Sequence, residues 1–324
     1  MSKPTTTARP GRDVVVTGVG LAVPGLTLAD ELLGGSREGG FDPHTGLTGR
    51  EMRHKDRASR LALRCVEPAL RDAGLYAQDA FSGTGDDTAV LVSSNFGILD
   101  SVCAFTDIIA RDTVTGLSPL GLPQTSSNVI AGSVSMRHGL RGPNMTLCNG
   151  PTSGLDALFW ARSLIAAGRA EAAVVIGVEP SGDAVTKMLG EPVLDGGAAL
   201  VLETREAARA RGARVRAAVA GYARGADRLR TVAEAAGSVT GPLGLWLTAP
   251  GAEAEPAVLP GGRPAARTLD LTARFGECSG ALGVLQCAAA VAHLDARPDE
   301  AVLATTGLPG DDAVAALLLT GPEH

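Results

Sequence analysis

The segment from residue 139 to 158 constrains the fold most, because it predicts a short strand, a tight turn and the start of a helix. Met145 to Cys148 is a brief apolar run that fits a buried strand, and Asn149-Gly150 is a strong turn signal. Pro151 suits the first helical position, where no N–H is needed. Such an elbow presents one residue at a helix N-terminus, where thiolates and oxyanions are stabilised. It carries nucleophiles in several enzyme folds and also occurs as an ordinary strand-to-helix connection.

The rest of the chain alternates strand and helix patterns, which indicates an α/β protein. Buried strands are predicted at 13–20, 88–93, 172–178, 195–203 and 313–319, and helices at 56–74 and 123–136. The helix at 123–136 is rich in small residues that allow close backbone approach. Gly18-Val19-Gly20 could suggest dinucleotide binding, but the third small residue of that fingerprint is missing.

Composition excludes several function classes. The net charge of -6 argues against general nucleic-acid binding, and no run of about 18 apolar residues predicts a membrane span. The five cysteines show no metal or disulfide spacing, which fits a reducing compartment, and the expected location is the cytoplasm. Residues 1–12 are polar and are predicted to be a disordered leader. The five histidines fall in no motif, and no cofactor or metal is predicted.

The elbow resembles the nucleophile elbow of the β-ketoacyl-ACP synthases. The resemblance rests on Arg141-Gly142-Pro143, the short strand, and Ser153-Gly154 before the helix. The opening Val15-Val16-Thr17-Gly18 and the strand Asp195-Gly196-Gly197-Ala198 are also similar to that family. The resemblance implies a thiolase-like α/β fold of five layers, αβαβα, built from two related halves. We place these halves at residues 13–205 and 206–324.

The resemblance also shows what is missing. In that family a cysteine nucleophile stands where this chain has Pro151, and two histidines assist it. The segment 242–250, where the first histidine motif belongs, contains none. In the second motif, Thr272 replaces a lysine and Glu277 replaces the histidine, and an anion there would repel a developing enolate. Because the lost groups act as a unit, we predict that the chain is catalytically inactive by itself.

A retained scaffold without the chemistry resembles the chain-length factors, the KSβ subunits of type II polyketide synthases. Those pair with a catalytic ketosynthase and commonly carry glutamine at the cysteine position, so Pro151 is a departure even from them. Two alternatives stay open. One is a divergent acyltransferase or malonyl-ACP decarboxylase that uses Cys148, although we expect this thiol to be buried within the strand and inert. The other is a scaffold that only binds acyl carrier protein.

The implied partners are a catalytic ketosynthase (KSα), as a heterodimer, and an acyl carrier protein, with a homodimer possible when the chain is made alone. The strand at Asn144–Leu147 is expected to pair antiparallel with the partner's strand, because a free strand edge is a liability in a monomer. The predicted interface residues are Gln124, Ser127, Ile130, Val134, Asn144 and Thr146. The basic stretch from Arg50 to Arg64 is either a solvated face or a docking patch for the carrier protein.

Overall fold

The structure is a computed structural model that describes residues 13–34, 40–191, 193–237, 241–251, 258–259, 263–308 and 310–323. The predicted leader at 1–12 lies outside these residues. The strands are β1 (Val14–Ala22), β2 (Tyr76–Ala77), β3 (Ala80–Phe81), β4 (Thr88–Ser93), β5 (Asn144–Leu147), β6 (Ala172–Glu179), β7 (Gly196–Thr204), β8 (Ala217–Gly225), β9 (Leu243–Leu247), β10 (Val258–Leu259), β11 (Arg263–Pro264), β12 (Thr268–Leu269), β13 (Ala301–Thr306) and β14 (Val314–Thr320).

The helices are α1 (Pro43–Gly46), α2 (Arg57–Asp72), α3 (Leu99–Asp112), α4 (Val129–His138), α5 (Ser153–Ala166), α6 (Asp183–Leu189), α7 (Arg205–Ala210), α8 (Arg228–Ala236), α9 (Thr272–Phe275) and α10 (Leu282–Ala296). The predicted strands are confirmed. The helix predicted at 123–136 is wrong at its start, because α4 begins at Val129 and residues Pro119–Thr125 form a 3₁₀ turn instead. Two prolines in that turn favour the tighter conformation.

The sheet shows that the chain consists of two similar halves. Ten strands are joined in the order β12-β9-β13-β14-β8-β1-β7-β6-β4-β5. In the first half β4 is parallel to β5 and β6, β6 is antiparallel to β7, and β7 is antiparallel to β1. In the second half β9, β12, β13, β14 and β8 repeat the same order and directions. Only Val15↔Ala218 and Val16↔Ala217 connect the halves through β1 and β8. The boundary after residue 205 stays a prediction.

The helices complete five layers. Helices α5 and α10 pack against each other and against strands of both halves, and they form the largest apolar core. Helices α2 and α4 cover the outer face of the first half, and α8 covers the outer face of the second. The thiolase-like αβαβα fold is therefore confirmed. No helix among the described residues is long and apolar enough to cross a bilayer.

Candidate functional site

The elbow has the predicted course of strand, turn and helix. Strand β5 ends at Leu147, Gly150 takes the left-handed conformation with φ +80°, and a 3₁₀ turn at Gly150–Thr152 leads into α5. Pro151 lies in the first positions of that turn and is exposed, and its φ is not positive. The expectation of a relaxed helix start at Pro151 is confirmed. The residue presented by this elbow therefore carries no nucleophilic atom.

Cys148 does not lie where we expected it. The thiol was predicted to be buried within the strand, but the residue is exposed. The reason is that the pairing of β5 with β4 ends at Leu147, so Cys148 lies one residue beyond the last paired position at the edge of the sheet. An accessible thiol three residues from the elbow keeps the alternative of divergent acyl transfer open.

A second elbow faces the first one. A 3₁₀ turn at Ser279–Ala281 leads into α10, as the turn at Gly150–Thr152 leads into α5. Ser279 has φ +39°, a strained conformation for a residue with a Cβ. The Asn95 amide connects both turns: its Nδ2 donates to Gly150 O at 3.0 Å and to Ser279 Oγ at 2.7 Å, and its Oδ1 accepts from Gly150 N at 3.2 Å. Asn95 therefore fixes the two helix starts relative to each other.

The buried carboxylate of Glu179 lies directly behind Asn95. It accepts the backbone N–H groups of Asn95 (2.6 Å), Phe96 (3.1 Å) and Gly280 (3.0 Å), and the hydroxyl of Ser94 (3.2 Å). Burial raises the pKa of Glu179 to about 7, although these donors favour the charged form. This group connects the end of β6, the residues after β4 and the start of α10.

The two replaced motif residues have structural partners in this chain. Thr272 donates its N–H (2.8 Å) and hydroxyl (2.7 Å) to Asp270 Oδ1, and Asp270 Oδ2 accepts Gly251 N at 3.0 Å. The Glu277 carboxylate accepts Ser279 N at 2.5 Å and so caps the turn before α10. Ser279 and Asn95 connect Glu277 to the elbow, so the structure brings Glu277 and Pro151 into one site. Thr272 is the first residue of α9, the short helix that precedes Glu277 in the chain.

A second polar cluster links the elbow to the other half. Asp156, in the first turn of α5, accepts the Tyr222 hydroxyl at 2.5 Å and the Thr152 hydroxyl at 2.8 Å, and Arg224 lies 3.4 Å from it. Tyr222 stacks on Phe159 with ring centroids 4.3 Å apart. Asn95, Glu179 and the contact of Asp156 with Tyr222 could not be predicted from the sequence, because these partners are distant in the chain.

His138 and His293 have structural surroundings. His138 is buried beside Tyr76, with ring centroids 5.9 Å apart, and burial lowers its pKa to about 4. His293 lies 2.7 Å from Glu300. Among the described residues, no group of three His, Cys, Asp or Glu side chains is arranged to hold a metal ion.

The predicted interface residues divide into two groups. Ile130 and Val134 are wrong as interface residues, because they are 1% and 0% exposed and pack in the core that α4 shares with α2. Gln124 donates to His54 O and so attaches its 3₁₀ turn to the chain before α2. Ser127 and Asn144 are exposed, and Gln124 and Thr146 are partly exposed. Strand β5 pairs with β4 on one side, and among the described residues no strand pairs with its other edge.

Large apolar side chains lie exposed on the elements that flank this edge. Met136 on α4 is 77% exposed and Trp160 on α5 is 45% exposed. Neither residue was predicted from the sequence to lie at an interface. Aromatic and methionine side chains are enriched at protein interfaces, so they are better interface candidates than Ile130 and Val134.

Some arginines of the basic stretch from Arg50 to Arg64 already bind groups within the chain. Arg57 forms a two-point ion pair with Asp195, and Arg64 donates to the carbonyls of Gly46 and Thr48. Arg50 and Arg53 are exposed. Arg50 and Arg53, before α2, are therefore the most exposed arginines of this stretch.

Known proteins share both sequence and fold with this chain. The family profile described as "Beta-ketoacyl synthase, N-terminal domain" matches residues 33–189. A putative polyketide β-ketoacyl synthase 1 from Streptomyces halstedii is 30% identical over 269 residues, which cover 65% of this chain and 63% of the relative. The 3-oxoacyl-[acyl-carrier-protein] synthase 2 of Vibrio cholerae is 29% identical over 214 residues, which cover 58% of this chain and 51% of the relative. The chain thus matches between half and two thirds of these relatives' length.

Solved structures agree on the fold. The ishigamide ketosynthase/chain length factor matches with a TM-score of 0.76 at 24% identity, covering 95% of this chain and 99% of that chain. A β-ketoacyl synthase from Burkholderia phymatum matches with a TM-score of 0.75 at 19% identity, covering 96% and 99%. A type II polyketide acyl carrier protein in complex with its ketosynthase bound to the hexaketide matches with a TM-score of 0.73 at 18% identity, covering 96% and 100%.

Proposed function

The chain belongs to the β-ketoacyl synthase family, and from that premise we propose that it is a non-catalytic subunit of the chain-length-factor type. In this role it pairs with a catalytic ketosynthase that elongates a polyketide or a fatty-acid-type chain on an acyl carrier protein. The sequence likeness to a polyketide synthase and the shared fold of a ketosynthase/chain length factor structure support this assignment.

One observation carries the proposal. The elbow retains its strand, its left-handed Gly150 and its helix, but it presents Pro151 to the surface. Proline has no atom that can form a thioester. Glu277 is held by the Ser279 N–H as a cap of the neighbouring turn, where an anion disfavours an enolate. The elbow position of this scaffold therefore holds no group that could begin the synthase reaction.

The free edge of β5 supports pairing with a second subunit. An unpaired strand edge offers its backbone N–H and C=O groups to another strand, and Met136 and Trp160 supply apolar surface beside it. We infer that the partner's matching strand pairs antiparallel with Asn144–Leu147. The interface should bury roughly 2,000 Å² or more, the size of obligate complexes.

Co-production with a catalytic polyketide ketosynthase from the same organism tests the proposal, with native mass spectrometry as the measurement. We expect a one-to-one complex. The variant Trp160→Glu should weaken it, while Lys187→Glu, a charge reversal on α6, should not. A chain that stays monomeric both alone and with the ketosynthase would contradict the proposal.

A second candidate rests on Cys148. Its exposure after the end of β5 makes the thiol accessible to a thioester, as an acyltransferase or decarboxylase of divergent chemistry would require. Acylation of the isolated chain that disappears in Cys148→Ala would favour this function over the first.

A further inference from the structure

Residues 113–136 carry no Asp, Glu, Lys, Arg or His side chain, although charged residues make up 20% of the chain. The second part of this stretch is helix α4, which packs in the core, so its lack of charge is expected. The first part, residues 113–128, lies on the surface, and we name it the uncharged loop. Charged side chains are normally found at the surface, so a surface segment without them is unusual.

The uncharged loop displays large apolar side chains to the solvent. It contains the 3₁₀ turns at Val114–Gly116 and Pro119–Thr125, none of its residues is buried, and the whole loop is described. Val114, Leu120 and Leu122 are exposed, and Leu120 reaches 81%. On the adjacent helix α3, Val102 and Ile109 are also exposed, two turns apart on one side of the helix. Exposed apolar surface of this kind marks an interaction site.

The uncharged loop packs along α3, so these side chains belong to one formed surface. A Cβ added to Gly121 would lie 2.9 Å from the Phe105 ring, and one added to Gly116 would lie 3.1 Å from Ile108 Cγ2. Gln124 donates to His54 O and attaches the end of the loop to the chain before α2.

Helix α4 joins the uncharged loop to the free edge of β5. It begins at Val129, directly after the loop, and its Ser135 hydroxyl accepts a hydrogen bond from Asn144 Nδ2 at 3.0 Å. The exposed Met136 follows Ser135. A helix of ten residues is about 15 Å long, so the loop and the strand edge are near enough to contact the same partner.

We propose that the uncharged loop, with Val102 and Ile109 of α3, docks on the same second subunit that pairs with β5. This inference rests on the proposed function, because it names a further contact of that complex. A stable interface takes roughly 20–30 residues from each side. The four residues of β5, with Met136 and Trp160, fall short of that number. The loop and the exposed side of α3 supply the missing surface.

The lack of charge favours a subunit over other occupants. The core of a subunit interface is depleted in charged residues, as this loop is. A lipid surface is bound by segments that carry Lys or Arg beside their apolar side chains, and this loop carries neither. An acidic protein would require complementary basic side chains, which are likewise missing from it.

Two exposed leucines provide a matched pair of variants, Leu120→Glu in the loop and Leu229→Glu as the control. Leu229 is 75% exposed on α8, which packs on β8 and β14 in the other half. Both isolated variants should keep the thermal midpoint of the unmodified chain, because neither side chain is buried. In titrations of a catalytic polyketide ketosynthase from the same organism, we expect Leu120→Glu to raise the Kd by about tenfold or more and Leu229→Glu to leave it unchanged.

Hydrogen exchange of the unmodified chain, read by mass spectrometry, gives a second measurement that needs no variant. We expect the amides of the uncharged loop to gain protection in the complex with the ketosynthase, while those of α8 do not.

Equal Kd values for the two variants would overturn this inference, as would a loop whose exchange is the same in the free chain and in the complex. In either case the proposed function would stand, since the complex itself had formed. Protection of the loop by an acyl carrier protein without the ketosynthase would also overturn it, because the occupant would then be the carrier protein. If the unmodified chain forms no complex at all, the proposed function fails and this inference fails with it.

Discussion

The contact between α5 and α10 gives a sharp prediction about the centre of the fold. The two helices approach at Gly154 and Gly283. A Cβ added to Gly154 would lie 2.8 Å from Gly283 N and 2.9 Å from Gly283 Cα, and one added to Gly283 would lie 2.5 Å from Leu155 N. All these neighbours are backbone atoms, so no side chain can rotate away. The helices themselves must separate.

We therefore expect Gly154→Ala to destabilise the protein. Overpacking of a core costs about 1–3 kcal/mol, and contacts below 3.0 Å with backbone place this site at the upper end. Alanine recovers about 1 kcal/mol of helix propensity, which leaves a net loss of about 1–2 kcal/mol. The free energy of unfolding would be measured by urea titration with circular dichroism.

Gly132 on α4 is the matched control, because a Cβ there would have no heavy atom within 4 Å. Gly132→Ala should stabilise the protein by about 0.5–1 kcal/mol. If Gly154→Ala were as stable as Gly132→Ala, the helices would not meet at these glycines. The central layer described above would then be wrong.

Three further changes test separate features. His138→Phe keeps a ring beside Tyr76. The buried imidazole of His138 has a pKa of about 4 in the folded chain, against 6.5 in the unfolded chain. The unfolded chain therefore binds the proton first, and the unmodified protein loses stability as the pH falls from 6.5 to 4. His138→Phe should therefore gain in unfolding free energy relative to the unmodified chain by about 1.4 kcal/mol for each pH unit of acidification in that range. A difference that does not depend on pH would refute the neutral, buried state of His138. Pro151→Cys should add a reactive thiol at the elbow, detected by alkylation, without condensation of acyl and malonyl thioesters, so that any condensed product would refute the account of the missing partners. Met136→Glu should weaken assembly with the partner subunit, measured by light scattering, and leave the thermal midpoint of the chain nearly unchanged. Ile130→Asp should instead unfold the chain, because it buries an unpaired charge. A folded Ile130→Asp chain would contradict the core position of that residue.

Much of the fold could be predicted from the sequence because its strands are continuous apolar runs. The runs that form β1, β4, β6 and β7 are buried on both faces of the sheet, so their positions do not depend on which neighbour they pair with. The turn of the elbow could also be predicted, since Gly150 and Pro151 define it by their own backbone preferences.

The predictions that were wrong concern residues whose burial depends on contacts between segments distant in sequence. Cys148 is exposed because of where the pairing of β5 and β4 ends, which no periodicity indicates. Ile130 and Val134 are buried because α4 packs on α2, and apolar residues on a helix fit a core and a subunit interface equally well. The Asn95 and Glu179 site joins residues whose partners are 55 to 184 positions away in sequence.

We propose above that this ketosynthase-like scaffold carries no working nucleophile. The most direct measurement is the intact mass of the purified chain after incubation with acyl and malonyl thioesters of an acyl carrier protein, with a catalytic ketosynthase as the positive control. We predict that the mass of this chain does not change while the positive control becomes acylated. An acyl adduct on this chain that is lost in Cys148→Ala would contradict the claim and identify Cys148 as the nucleophile.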